Sequence, residues 1–155
     1  MSDEISLQDR FAPDSTCFGC GPANPKGLRI RSFPRGDDVV CEWSPEPHHE
    51  AWEDVLNGGV CGALLDCHSN WTAAWHLMRA AGAATPPTTV TADFHVHLLA
   101  PTPTGGPLTL RARVVEAEGR RVTVDATLEA AGAVTARCRG HFVAVKEGHP
   151  AFGRW

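Results

Sequence analysis

The chain has 155 residues, 43% of them apolar, which is enough for one domain with a buried core and excludes a disordered chain. A net charge of -4 with no basic block argues against a nucleic-acid partner, and no apolar run is long enough to span a bilayer. The polar, acidic start Met-Ser-Asp-Glu-Ile-Ser is unlike a secretory leader, so a cytoplasmic location and six reduced cysteines are expected.

Residues 1–27 are rich in proline, glycine and cysteine and read as an irregular lead-in. Leu28 to Phe33 and Val39 to Trp43 alternate across the turn cluster Pro34-Arg35-Gly36-Asp37-Asp38, which predicts a hairpin. Ser44 to Glu53, with two prolines and two histidines, reads as a loop. A helix is predicted from about Gly58 to Ala81, ended by Gly82 and Pro86-Pro87. Val60, Leu64, Cys67, Trp71, Trp75 and Met78 recur every three or four residues and predict its core face. Ser69, Thr72, His76 and Arg79 fall on a second side. Gly62, Asp66, Asn70 and Ala73 make a third strip, whose small residues admit close approach by a ligand or a second helix.

Four strands follow. From Val90 to Leu99, Val90, Ala92, Phe94, Val96 and Leu98 alternate strictly with Thr91, Asp93, His95 and His97. Pro101 to Pro107 reads as a turn-rich loop. Leu108 to Ala117, Val122 to Ala130 and Val134 to Val145 are joined by Glu118-Gly119-Arg120 and Ala131-Gly132, both short enough for hairpins. The expected class is α+β, with one long helix wrapped by a curved antiparallel sheet of about six strands in a single domain. Cys41, Cys61, Cys67 and Cys138 lie in apolar or alternating runs and read as small core residues.

The chemistry concentrates in Asn57-Gly58-Gly59 and the helix behind it. A glycine pair opening a helix leaves bare N–H groups in the positive end of the helix dipole, where an oxyanion would be stabilised. Asp66 is the sole acid between Val55 and Leu77, and a buried acid is costly unless it has a partner or a task. Burial among leucines and tryptophans should raise its pKa. Eight residues separate Gly58 from Asp66, about 12 Å along a helix. One carbonyl cannot touch both on one chain. If both act on one substrate, two chains must pair with their helices antiparallel, giving a homodimer or a dimer of dimers.

These motifs resemble the hotdog-fold acyl-CoA thioesterases, in particular the PaaI-like branch of the 4-hydroxybenzoyl-CoA thioesterase superfamily. The resemblance runs from about Cys17 to Lys146. It is carried by Pro47-His48-His49-Glu50-Ala51, Leu56-Asn57-Gly58-Gly59, Leu64-Leu65-Asp66, Val90-Thr91-Ala92-Asp93-Phe94 with Pro101, and Ala136-Arg137-Cys138-Arg139-Gly140-His141-Phe142. The lead-in Cys17-Phe18-Gly19-Cys20-Gly21, with Asn24-Pro25 and Gly27-Leu28, is similar to that of a subset of these proteins. The resemblance implies a hotdog fold and an acyl-CoA or acyl-carrier substrate, with no cofactor. The Gly58 N–H would polarise the thioester carbonyl and Asp66 would act as general base or nucleophile. Thr91 would help hold the water, and Gly59 would line the carbonyl site. The family's usual histidine before Gly-Gly is Asn57 here, which hydrogen-bonds but takes up no proton near neutral pH, so it reads as an orienting or capping group. An upstream asparagine donor of some members maps to Ala51, a place that His49 could fill.

The acyl group is expected near Asn70, Trp71, Trp75 or Phe94, although plain core packing is the favoured role for each aromatic taken singly. Arg120, Arg121, Arg137, Arg139 and Lys146 could meet CoA phosphates, with solvated surface charge as the default. Cys17-x-x-Cys20 invites a zinc or redox reading, but a single such pair is short of four ligands, and structural thiols are the expected role. His95-x-His97 reads as a polar surface or interface pair. His68 lies about 200° around the helix from Asp66 and is a poor partner for it. Beside hydrolysis stand two other readings. A non-catalytic acyl-CoA binder fits Asn57 and Ala51, and a hotdog hydratase or dehydratase is weakened by Asn57.

Overall fold

The helix α2, Gly58–Ala80, is the centre of the molecule. The computed structural model describes residues 3–155, so Met1 and Ser2 of the lead-in lie outside the described residues. Before α2 come a one-turn helix α1 (Leu7–Phe11), strands β1 (Phe33–Arg35) and β2 (Asp38–Trp43), a 3-10 turn at Pro47–His49, and the small strands β3 (Glu50–Trp52) and β4 (Val55–Leu56). After it come β5 (Thr89–Leu98), β6 (Leu108–Glu118), β7 (Arg121–Ala130) and β8 (Ala133–Ala144). Six strands form one antiparallel sheet in the order β1-β2-β6-β7-β8-β5, and β3 pairs with β4 separately. The sheet wraps α2, which packs across β5 to β8. This is the hotdog fold.

Period-two burial makes the wrap. Val122, Val124, Ala126 and Leu128 of β7 point inward beside Ala136, Cys138 and Phe142 of β8 and Leu108, Leu110 and Ala112 of β6, all buried. Gly140 lies in the same inward row, and a Cβ there would sit 2.6 Å from the Phe142 ring, so the bare backbone makes room for the phenyl group. Leu64, Leu65 and Trp71 of α2 close the core against these rows. No helix among the described residues is long and apolar enough to cross a membrane.

The structure corrects the expected elements in three places. Within the lead-in, Leu7–Phe11 is helical, capped by Ser6, whose Oγ accepts the Asp9 N–H. Leu28 to Ser32 is not a strand. Its Leu28 and Ile30 amides bond to Phe18 and Gly19 carbonyls, and Arg29 has φ 58°, so the ladder begins only at Phe33. The 44–53 stretch is part hairpin, because Asp54 turns the chain at φ 65° between β3 and β4. On the second side of α2, Ser69 and Thr72 are buried. Thr72 satisfies its hydroxyl on the His68 carbonyl at 2.9 Å.

His68 itself is a core residue. Its ring lies 2.8 Å from Ser32 Oγ through Nδ1 and 2.9 Å from the Val39 carbonyl through Nε2, which assigns the proton to Nε2. Ser32 is bonded in turn to Gln8 of α1, through its hydroxyl and its amide. A buried polar chain thus ties the lead-in to the centre of α2 and to β2. Burial lowers the His68 pKa to about 4.

Candidate active site

Asn57 is the N-cap of α2. Its Oδ1 accepts the Val60 N–H at 3.1 Å and its carbonyl accepts the Cys61 N–H at 3.1 Å. Neither bond uses the amides of Gly58 and Gly59, which open the helix and have no intrahelical carbonyl to reach. Gly59 is glycine for room, since a Cβ there would stand 3.0 Å from the Asn57 Oδ1 that folds over it. Gly58 borders an apolar hollow of about 320 Å³ shared with Trp52, Leu56, Leu98 and Pro101.

Two turns along α2 stands Asp66, half-buried. Thr91 of β5 donates its hydroxyl to Asp66 Oδ1 at 2.7 Å. Burial pushes the Asp66 carboxyl above the ordinary carboxylate value. The Thr91 hydrogen bond pulls it back and the nearby Cys17 raises it again. Asn70, the next member of the strip, donates Nδ2–H to the Thr89 carbonyl at 3.0 Å, while its buried Oδ1 meets no partner among the described residues.

β5 runs antiparallel to this strip. A Cβ on Gly58 would lie 3.2 Å from Leu98, and one on Gly62 would lie 3.8 Å from Phe94. Leu98, Phe94, Thr91 and Thr89 thus meet Gly58, Gly62, Asp66 and Asn70 in order. In a regular strand Thr91 and Phe94 would face opposite ways. Here Thr91 pairs with Phe142 and Asp93 with His141, so Ala92 is an extra residue that shifts the phase. The strict alternation expected for Val90 to Leu99 is therefore broken at Ala92, and both Thr91 and Phe94 reach the helix.

The remaining predicted residues are dispersed. Trp71 is buried, 4.5 Å from the Trp155 ring, and its indole N–H donates to Cys20 Sγ at 3.3 Å. Phe94 stays 40% exposed over Gly62, at the surface that also exposes Leu98 and Leu99. His49 stacks near Trp43 and His48, and its Nδ1 accepts the Glu46 N–H at 2.9 Å, which places its ring proton on Nε2 in the neutral form. Its carbonyl accepts the Asn57 N–H at 3.0 Å, so it braces the cap. Burial lowers its pKa. His95 and His97 pair in register with Arg139 and Arg137. Arg139 is bonded to Asp125 at 2.6 Å.

Cys41, Cys61 and Cys138 are buried core residues, as expected. Cys67 is not one of them: it is only half-buried and joins Cys17 and Cys20, the three sulfurs lying within 4.8 Å of one another. The Cys-x-x-Cys spacing was visible in the sequence, whereas the third thiol comes from α2, 47 positions beyond Cys20, and no local pattern marks it. Glu46, His48 and His49 also cluster, but Glu46 and His49 cap the 3-10 turn with each other.

Residues 53–145 match the model of the thioesterase superfamily. Among solved structures, a thioesterase superfamily protein from Shewanella loihica PV-4 is similar at 30% identity and TM-score 0.66, over 81% of this chain and 98% of that one. A thioesterase from Haemophilus influenzae shares the fold at 18% identity and TM-score 0.68, over 79% of this chain and 84% of that one. An uncharacterised protein from Pyrococcus horikoshii does so at 14% identity and TM-score 0.66, over 93% and 97%. No curated protein matches the chain. The family model spans the glycine-opened helix, Asp66 and all four long strands, and on that match the chain belongs to the thioesterase superfamily.

Proposed function

We propose that this protein hydrolyses acyl-CoA or acyl-carrier thioesters, in the manner of the PaaI-like branch, as a homodimer with two shared centres. In each, the Gly58 N–H of one protomer polarises the thioester carbonyl and Asp66 of the partner subunit takes a proton from water. The hydroxide adds to the carbonyl carbon, the oxyanion rests on the helix N-terminus, and its collapse breaks the C–S bond. The proton passes to the departing thiolate, giving acid and thiol. One oxyanion donor is worth roughly 3 kcal/mol and a positioned base about 10²–10⁴-fold.

The observation that carries the reading is the half-buried Asp66 held by Thr91 on a strip of small residues that ends at the Gly58 amide. Thr91 holds one carboxylate oxygen, which leaves the other for water. Asn57, committed as a cap, supplies no proton, which favours hydrolysis over the hydratase reading. The dimer is supported by β5. It is one of the two edge strands of the sheet, so one row of its backbone groups has no strand beside it, and it exposes Phe94 and Leu98. Pairing of β5 with its copy would cover both and bring Gly58 toward the partner's Asp66.

Thiol release from a panel of aliphatic and aromatic acyl-CoAs tests the proposal. Release by the wild type that is lost in Asp66→Asn supports it. Binding without release identifies the non-catalytic binder, and loss of enoyl-CoA absorbance without thiol identifies a hydratase.

A further inference from the structure

We infer that Cys17, Cys20 and Cys67 form a binding site for a thiophilic metal ion of the zinc class, which clasps the lead-in loop to α2 beside Asp66. Cys17 and Cys67 Sγ lie 3.9 Å apart. Zn–S bonds of about 2.3 Å at tetrahedral angles put sulfurs roughly 3.8 Å apart, whereas a disulfide needs about 2.05 Å. Cys17 and Cys67 therefore stand at the spacing of two ligands around an ion, with Cys20 Sγ within 4.8 Å of both.

The loop is shaped around the sulfurs. In Cys17-Phe18-Gly19-Cys20-Gly21 the Gly21 N–H bonds to the Cys17 carbonyl at 2.8 Å. A Cβ on Gly21 would stand 2.4 Å from the Cys17 nitrogen and 2.5 Å from the Ser15 carbonyl oxygen, so the turn accepts glycine alone. A Cβ on Gly19 would stand 2.3 Å from Cys67 Sγ. Gly19 is thus the notch through which the helix cysteine reaches the pair.

The donor beside the cluster suits anionic sulfur. The Trp71 indole N–H donates to Cys20 Sγ at 3.3 Å. N–H groups turned onto metal-bound sulfur hold the ligand and tune its charge. On binding, the thiols release their protons to solvent. Three thiolates select soft ions over magnesium or calcium and leave one tetrahedral position for water. Two ligands from a loop and one from the middle of α2 make the ion a clasp between segments otherwise joined by backbone bonds and packing.

The test uses the full chain, reduced and stripped with a chelator, with Co²⁺ and Zn²⁺ as probes. We expect one Co²⁺ per chain with thiolate charge-transfer absorbance in the near ultraviolet, displaced by Zn²⁺. Maleimide labelling read by mass spectrometry should show Zn²⁺ protecting Cys17 and Cys67. Cys17→Ser and Cys67→Ser should each weaken Zn²⁺ binding by more than the roughly 10–100-fold typical of outer-shell losses. If a variant does not fold, the wild-type labelling decides. Absence of the charge-transfer band, a Cys17 labelling rate indifferent to Zn²⁺, or a Cys17–Cys67 disulfide that forms equally with and without Zn²⁺ would overturn the site.

Discussion

Thr91 Oγ1 stands 2.7 Å from Asp66 Oδ1 because Ala92 is a bulge. Without that extra residue, Thr91 and Phe94 would lie on opposite faces of β5 and one of them would leave the helix. The bulge delivers both, a hydroxyl to the acid and a phenyl ring to Gly62. Bulges are common beside reactive centres for this reason.

Burial and Thr91 act on Asp66 in opposite directions. Burial raises its pKa above 3.8 and the Thr91 hydroxyl lowers it. A base works when ionised, so hydrolysis should rise with pH through the folded-state value of Asp66. Thr91→Val removes the stabilising donor and should move the acid limb of kcat/KM to higher pH. Asp66→Asn should lower kcat by about 10²–10⁴-fold with the fold retained. An unmoved acid limb in Thr91→Val would show that this hydroxyl does not tune the base.

Gly58 permits a clean removal of one N–H. It is the first helical residue, where proline fits, and Asn57 before it already has φ -60° and ψ 133°, as a residue preceding proline prefers. A Cβ on Gly58 would meet only the tip of Leu98, at 3.2 Å. Gly58→Pro should therefore fold yet lose roughly 10²–10³ in kcat through the missing oxyanion donor. Mixed and re-annealed with Asp66→Asn, it should regain roughly a quarter of wild-type activity. Half of a statistical mixture is heterodimer, and each heterodimer holds one intact centre of two. No recovery on mixing would place Gly58 and Asp66 in separate functions or on one chain.

How much of this was legible follows from where each constraint lives. The α2 boundaries, the glycine pair, Asp66 and the four long strands are written in local periodicity and capping. Other features are set by tertiary contacts. The Ala92 bulge depends on the β8 register, and Ser69 and Thr72 look like surface but are buried because α2 is wrapped on most sides. Cys67 fits a core stripe by spacing and is recruited by a loop that only the fold brings near. Leu28 to Ser32 alternates as a strand would, yet its Leu28 and Ile30 amides are claimed by the cysteine loop.

The exposed edge of β5 gives a third prediction. Leu98 is 59% exposed in the single chain and touches the Gly58 position. Leu98→Asp places a charge where the paired edges would meet. Sedimentation should show monomer, and thioester hydrolysis should vanish although Asp66 and Gly58 are untouched. A monomer that retains full activity would sink the shared-centre proposal.

His68 sets a pH limit on stability. Its pKa falls from the ordinary 6.5 to about 4 on folding, through burial. Between those values the unfolded chain holds a proton that the native state does not. Stability is therefore complete above pH 6.5 and declines as pH falls toward 4, by about 3 kcal/mol in all at roughly 1.36 kcal/mol per unit. The raised Asp66 opposes part of this decline, because its protonation favours the native state. His68→Gln keeps a donor for Val39 and an acceptor for Ser32 but has no titrating nitrogen. Urea unfolding of this variant should show a flatter pH profile over that window, at some loss of stability near neutrality from imperfect geometry. An identical slope in the variant would move the acid sensitivity to another group. A flattened one would show that the buried chain from Gln8 through Ser32 to His68, rather than the half-exposed Asp66, determines how the fold responds to acid.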